Sequence, residues 1–184
     1  MRILSAPLAV FLLAGPAAQA DSIDAVQQLE ADILSSPSAT QALTARCARL
    51  HLADPPAIRA LRDHDTDRPA GPDIRRLLQV SASEPVRYRR VRLSCGGQVL
   101  SDADNWYVPA RLSAEMNATL DGTETPFGTV VKPLNFQRRT LKTGALHDGT
   151  HVLRVTALLV DAEQRPFSLV QENYTRVLVG NGYP

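Results

Sequence analysis

Apolar positions recur at helical spacing through Ser22 to Leu34, at Ile23, Val26, Leu29, Ile33 and Leu34, which predicts a first helix. Ser36-Pro37-Ser38 interrupts it. Ser38 or Thr40 stands where a cap is needed for a second helix through about Leu50, with Leu43, Cys47 and Leu50 turned inward. His51 to Pro72 is rich in Asp, Arg, Pro and Ala and reads as a connecting segment, with a short helix over Pro56 to Arg62; Ile74 to Val80 leads back into structure. From Pro85 the period changes to two. Val86 to Cys95 alternates, Gly96-Gly97 makes a hairpin turn, and Gln98 to Val108 returns. Ser113 caps a short helix over Ala114 to Leu120, which Asp121-Gly122 ends. Thr129 to Leu141 predicts a strand with an irregularity at Pro133. Thr150 to Val160 and Arg165 to Val179 predict a last hairpin around Asp161-Ala162-Glu163-Gln164. Two or three N-terminal helices, five or six antiparallel strands and one inserted helix define an α+β domain.

The 184 residues favour one domain. Residues 1–20 have the form of a cleaved secretory signal peptide: Arg2 is the basic start, Ile3 to Leu13 is mainly apolar, and Ala18-Gln19-Ala20 is an A-x-A cleavage site. The apolar run is too short for a permanent bilayer span. The expectation is therefore a periplasmic or secreted protein whose mature domain covers residues 21–184. Cys47 and Cys95 are an even count in an exported chain, which invites a disulfide, although two buried thiols would equally fit. The net charge of +1 creates no field suited to nucleic acid or acidic membranes. Of the 20 basic residues only Lys132 and Lys142 are lysines, so most cations are rigid guanidinium forks suited to carboxylates.

The candidate chemistry follows from strand parity. Arg90 and Arg92 share a face with Val86 and Tyr88, and Val91, Leu93 and Cys95 form the opposite, apolar face. Arginines in mid-strand are costly to bury unless an anion meets them, so Arg90 with Arg92 reads either as a carboxylate clamp or as a solvated sheet face. Gln171 lies on the face of Phe167 and Leu169, while Glu172 lies with Val170 and Tyr174; whichever side is buried, one polar group needs partners there. Thr125-Pro126-Phe127-Gly128 is a turn that can hold backbone N–H groups toward a ligand. Trp106 and Tyr107 read as a stacking wall or as core. Asp63, Asp65 and Asp67 begin like a calcium loop, but Arg68 and Ile74 stand where its glycine and its bidentate glutamate belong. No histidine, serine or glycine motif for a metal, a nucleophile or a phosphate is present. The expectation is no metal, no organic cofactor and no nucleic-acid partner.

Taken in order, these segments resemble chorismate lyase and its superfamily, which includes the effector-binding (UTRA) domain of GntR-type regulators. The lyase pattern aromatic-x-Arg-x-x-Leu is similar to Tyr88-Arg89-Arg90-Val91-Arg92-Leu93, and its Val-Pro strand end to Val108-Pro109. Its Leu-Ser helix start is similar to Leu112-Ser113, its Thr-Pro-Leu-Gly turn to Thr125-Pro126-Phe127-Gly128, and its final hairpin to Arg165-Pro166 through Tyr174. Leu29-Glu30 and Leu43 to Cys47 fit the N-terminal helix pair, so the resemblance covers about residues 29–178. It implies a six-stranded antiparallel sheet with helices and an enclosed ligand pocket. It also implies an Arg that holds a carboxylate and a Glu that assists loss of pyruvate from chorismate to leave 4-hydroxybenzoate. By position these fall on Arg90 and on Gln171, with Glu172 one residue away. A glutamine hydrogen-bonds but cannot exchange a proton near neutral pH.

The expected function is binding of a small aromatic or cyclic carboxylate through Arg90 and Arg92, with Phe127 and Gly128 on the pocket rim. Three readings remain open: a non-catalytic sensor or carrier, a lyase acting through Arg90, Gln171 and Glu172, or a partner-binding protein with a filled cavity. Oligomeric state is not legible in the sequence.

Overall fold

The computed structural model describes residues 16–180, with side chains from residue 24. Residues 1–15, which hold most of the expected signal peptide, lie outside the described residues. Among the described residues no helix is long and apolar enough to cross a membrane.

Two helices, α1 (Pro16–Ser35) and α2 (Ala39–Arg49), lead into a six-stranded antiparallel sheet. Its strands are β1 (Arg59–Asp63), β2 (Arg87–Cys95), β3 (Gln98–Tyr107), β4 (Gln137–Ala145), β5 (His151–Val160) and β6 (Pro166–Thr175), in the order β1-β2-β3-β6-β5-β4. α3 (Pro72–Leu78) lies between β1 and β2, and α4 (Ala114–Gly122) and the single turn α5 (Phe127–Val130) lie between β3 and β4. The expected α+β class with a six-stranded antiparallel sheet is the one observed.

Local chemistry sets most boundaries. Ser38 caps α2 by accepting from the Gln41 N–H, and Ser113 caps α4 by accepting from Met116 N–H. Gly96 and Gly97 both take positive φ in the β2–β3 hairpin, and a Cβ on Gly96 would lie 1.8 Å from the backbone oxygen of Leu52. That contact seats the hairpin against the exit of α2, where Cys47 and Cys95 form a disulfide.

Two expectations are corrected. The segment read as a connection with a short helix holds the edge strand β1, which pairs with β2 and buries only Ala60. Tertiary pairing, not local pattern, makes it a strand. The predicted strand from Thr129 opens instead with the rest of α5 and a 3-10 turn at Lys132–Leu134; the chain becomes extended only at Gln137, after Asn135 adopts the left-handed conformation. Pro133 sits in that turn, where its fixed φ is tolerated.

The sheet has two unlike faces. One is covered by α1, α2, α4 and α5. Near the α1–α2 end, Leu29, Ile33 and Leu43 pack on Val91, Leu93 and Val155. Near the α4–α5 end, Leu120 and Phe127 pack on Tyr107, Leu159 and Val170. The other face carries α3 at one end, over Trp106, Leu158 and Leu169, and polar side chains elsewhere.

Candidate functional site

The helix-covered face is not filled. Between the N-terminus of α2, the α5 turn and strands β2 to β6 lies a cavity of about 50 Å³. Roughly 10–15 Å³ holds one water, so it takes three to five waters or one carboxylate-sized group. Val91, Ala103, Val170, Leu159, Phe127 and Phe136 make most of its wall. Its polar groups are Arg89, Asn105, Arg138 and Glu172. An apolar wall with a few convergent polar groups is the usual make-up of a small-molecule site.

The register places those polar groups together. Arg89 lies opposite Asn105, Asn105 opposite Val170, and Ala103 opposite Glu172. Glu172 and Arg138 satisfy each other: Arg138 Nη2 donates to Glu172 Oε2 at 2.5 Å, and the buried Tyr174 hydroxyl donates to the same oxygen at 2.9 Å. Burial, together with the Glu172 charge, holds the Tyr174 phenol well above its ordinary value.

Arg89 has no such partner. It is 2% exposed, and its guanidinium reaches only the Thr125 carbonyl oxygen, at 3.4 Å. Its Nε has no hydrogen-bond partner, nor has Nδ2 of Asn105, whose Oδ1 accepts from Ser168 Oγ at 2.5 Å. Burial pushes the Arg89 guanidinium down to about 10, and the neighbouring Arg62 charge adds to the fall, while Tyr107 and the Asp121 charge act against it without reversing it. A buried cation and a buried amide donor thus face one hollow unsatisfied, although such groups are ordinarily paired. The hollow's net charge is positive: two guanidinium groups against one carboxylate. The first turn of the 11-residue α2, with Ser38, Ala39 and Thr40 on the cavity wall, adds the positive end of a helix.

Of the residues singled out in the sequence, Glu172, Phe127 and Gly128 line this cavity, and Arg90, Arg92 and Gln171 do not. The expectation that Arg90 enters an enclosed pocket is corrected. Arg90 lies on the opposite face, where the chain supplies its anions: Asp104 at 3.3 Å and Asp63 at 3.5 Å. Asp104 also accepts from Arg68 and from the Tyr88 hydroxyl, and Arg68 stands over the Trp106 ring at 5.2 Å. Arg92 is exposed on that same face, and Gln171 lies there opposite Asp104 and Thr156.

The physical reason is the pleat. The enclosed hollow forms on the side that the helices cover, which is the apolar side of Val91 and Leu93; Arg89 shares that side and Arg90 cannot. The same parity puts Glu172, with Val170 and Tyr174, into the hollow. Alternation therefore carried a signal for Arg89 and Glu172. Asn105, Arg138 and the α2 turn had no comparable signal, because they arrive from other elements. Among the described residues no cluster of three or more metal-ligating side chains occurs.

Sheet order and helix placement define an α+β domain with a six-stranded antiparallel sheet, a fold found in solved effector domains of transcriptional regulators. The effector domain of PhnF from Mycobacterium smegmatis shares this fold, with a TM-score of 0.54 at 12% identity over 77% of this chain and 90% of that one. The possible transcriptional regulator YydK from Bacillus subtilis subsp. subtilis str. 168 aligns with a TM-score of 0.46 at 15% identity over 64% of this chain; the chain spans 58% of that regulator's length. No family model matches the sequence. The uncharacterized protein y4mC of Sinorhizobium fredii (strain NBRC 101917 / NGR234) is 39% identical over 87% of this chain and 77% of its own length. The chain belongs to the family of that protein.

Proposed function

We propose that this protein is an exported, non-catalytic binding domain for a small carboxylate, whose acid group docks on Arg89 and Asn105 inside the helix-covered cavity. The observation that carries the reading is the unsatisfied pair of donors, Arg89 Nε and Asn105 Nδ2, on one hollow with an excess of positive charge. A carboxylate meets both needs. It accepts from two donors at once, and it supplies the ion-pair partner that the Arg89 guanidinium lacks in the cavity. The Phe127 and Phe136 rings on the wall support an aromatic or cyclic body next to the acid. The effector domain of PhnF supports binding rather than chemistry by fold alone, which is an analogy.

Calorimetry with acetate and benzoate as probes tests the reading. Saturable binding is expected, weakened by about 2 kcal/mol in Arg89→Gln and unchanged in Arg90→Gln. No saturable heat with either acid, or equal binding by Arg89→Gln, overturns it.

Export is part of the proposal. Residues 1–20 support it by composition, and the Cys47–Cys95 disulfide supports an oxidising compartment. N-terminal sequencing of protein recovered from the producing cell's exterior or periplasm is expected to begin at Asp21; an intact Met1 on all of it counts against export.

One observation favours a second reading, a lyase that removes pyruvate from chorismate. Glu172 faces the same cavity as Arg89, so the carboxylate expected of the lyase resemblance is available without Gln171. Incubation with chorismate decides it: 4-hydroxybenzoate and pyruvate above the enzyme-free rate support it, and no product at high protein concentration excludes it.

A further inference from the structure

Behind the acid site lies a polar side chain that does not touch its cavity. Ser168 of β6 is wholly buried and forms no part of the cavity wall, and its hydroxyl donates to Asn105 Oδ1 at 2.5 Å. Register explains the contact. Asn105 of β3 stands opposite Val170 of β6, and Ser168 is two positions from Val170 on the same helix-covered face. The two side chains are therefore diagonal neighbours across the β3–β6 ladder. Their strand neighbours on that face, Tyr107, Leu159 and Val170, belong to the apolar core.

A side-chain amide has two unlike ends, an acceptor oxygen and a donor nitrogen. The end that faces the hollow decides what the site accepts. Ser168 holds the oxygen of Asn105, so the nitrogen, which has no hydrogen-bond partner, is left for a ligand. Arg89 stands opposite Asn105, and its unpaired Nε is a donor and only a donor. Two donors on one hollow match a group with two acceptor oxygens and no hydrogen of its own. An ionised carboxylate is such a group. A carboxamide satisfies one donor with its oxygen and meets the other with an N–H, which leaves a buried donor facing a donor.

We infer that Ser168 is a positioning residue of the acid site: by fixing the Asn105 amide with its nitrogen toward the cavity, it makes the site select an ionised carboxylate over the corresponding carboxamide. This inference rests on the acid-binding role of Arg89 and adds to it a source of discrimination. Without the Ser168 hydroxyl the Asn105 amide is free to turn and present its oxygen to the hollow, and the two-donor match is lost. Arg89 keeps its charge in that case, so the acid binds more weakly but still binds.

Calorimetric titration of the intact protein with benzoate and benzamide, which share a ring and nearly a size, tests the role. The wild type is expected to bind benzoate at least about tenfold more tightly than benzamide, the scale of one mismatched hydrogen bond in a charged site. In Ser168→Ala benzoate is expected to weaken about tenfold while benzamide holds or gains, because the freed Asn105 oxygen accepts from its N–H. Ser168→Cys conserves the volume and offers a weaker donor, so its preference should fall between the two; it carries the test if the alanine variant does not fold. An unchanged benzoate-to-benzamide ratio in the Ser168 variants overturns the inference, and so does a parallel loss of both ligands, which marks a packing defect. If that ratio is unchanged while Arg89→Gln weakens benzoate, the positioning role fails and the acid site stands. Benzoate binding that Arg89→Gln leaves intact, or no saturable heat with the wild type, defeats both.

Discussion

Arg89 and Arg138 are the same residue type on the same sheet face, and their surroundings give them opposite energetic roles. Arg138 shares a buried pair with Glu172, with side chains 5% and 7% exposed. Arg89 is as deeply placed and has no carboxylate. Replacing each by Met, which conserves much of the volume, is expected to move stability in opposite directions. Arg89→Met removes a buried guanidinium that has no ion pair and an unbonded Nε, and should raise the unfolding free energy by about 1–3 kcal/mol. Arg138→Met strands Glu172 in an apolar surround and should lower it by about 3–5 kcal/mol. Urea denaturation of the two variants reads both signs. If Arg89→Met is destabilising, the Thr125 carbonyl and the nearby Asp121 charge already compensate the guanidinium and the anion site loses its basis. A binding residue that costs the empty protein stability, and that a ligand then stabilises, is the pattern expected where function and folding compete. Parity sets Arg89 and Glu172 on faces shared with apolar neighbours, but the sequence reading settled on Arg90 and Arg92. Choosing between Arg89 and Arg90 needed the knowledge of which face the helices cover.

Among the elements, the β4–β5 connection is tied down by a histidine between two carboxylates. The His151 ring meets Asp148 at 2.9 Å through Nδ1 and Asp102 of β3 at 2.7 Å through Nε2, while the backbone N–H groups of Thr150 and His151 donate to Asp148. Burial works to lower the His151 pKa, but the hydrogen bonds to Asp102 and Asp148 outweigh it and leave the value raised. Asp148 is held well below the ordinary carboxylate range, first by the His151 N–H and then by the His151 ring. The raised His151 contributes fully below its ordinary value of about 6.5 and fades as pH rises through the raised one; the lowered Asp148 contributes above about 3.9 and fades as pH falls through the lowered one. Amide hydrogen exchange across residues 146–150, corrected for intrinsic rates, should therefore be slowest between about pH 4 and 6.5. It should speed up above that window in the wild type and show no such change in His151→Gln. A flat profile in the wild type removes the clamp. Elements with strong local signals, such as the capped α2 and α4 and the Gly96-Gly97 hairpin, were legible in the sequence. β1 was not, because a five-residue edge strand has its identity conferred by β2.

For the whole molecule, the disulfide is the longest-range covalent tie. Cys47 and Cys95 are 48 residues apart, both buried, and join α2 to β2. Those two elements supply the Ser38–Thr40 turn and Arg89 to the same cavity. Closing a loop of this length stabilises the fold by about 4 kcal/mol in the chain-entropy account. Urea midpoints with and without reductant, in protein whose reduction is verified by mass, should differ by an amount of that order; a midpoint unmoved by full reduction would falsify the tie's importance. The amino-acid order alone settles the α+β class, the helix caps, the hairpin and the alternation of each strand, because these depend on neighbours within a few positions along the chain. The choice of the sheet face that encloses space, the meeting of Arg138 with Glu172, the closing of Cys47 on Cys95 and the unmet charge of Arg89 belong to the folded arrangement. They arise between segments distant in sequence, where burial and pairing are properties of the packed layers and of no single stretch of residues.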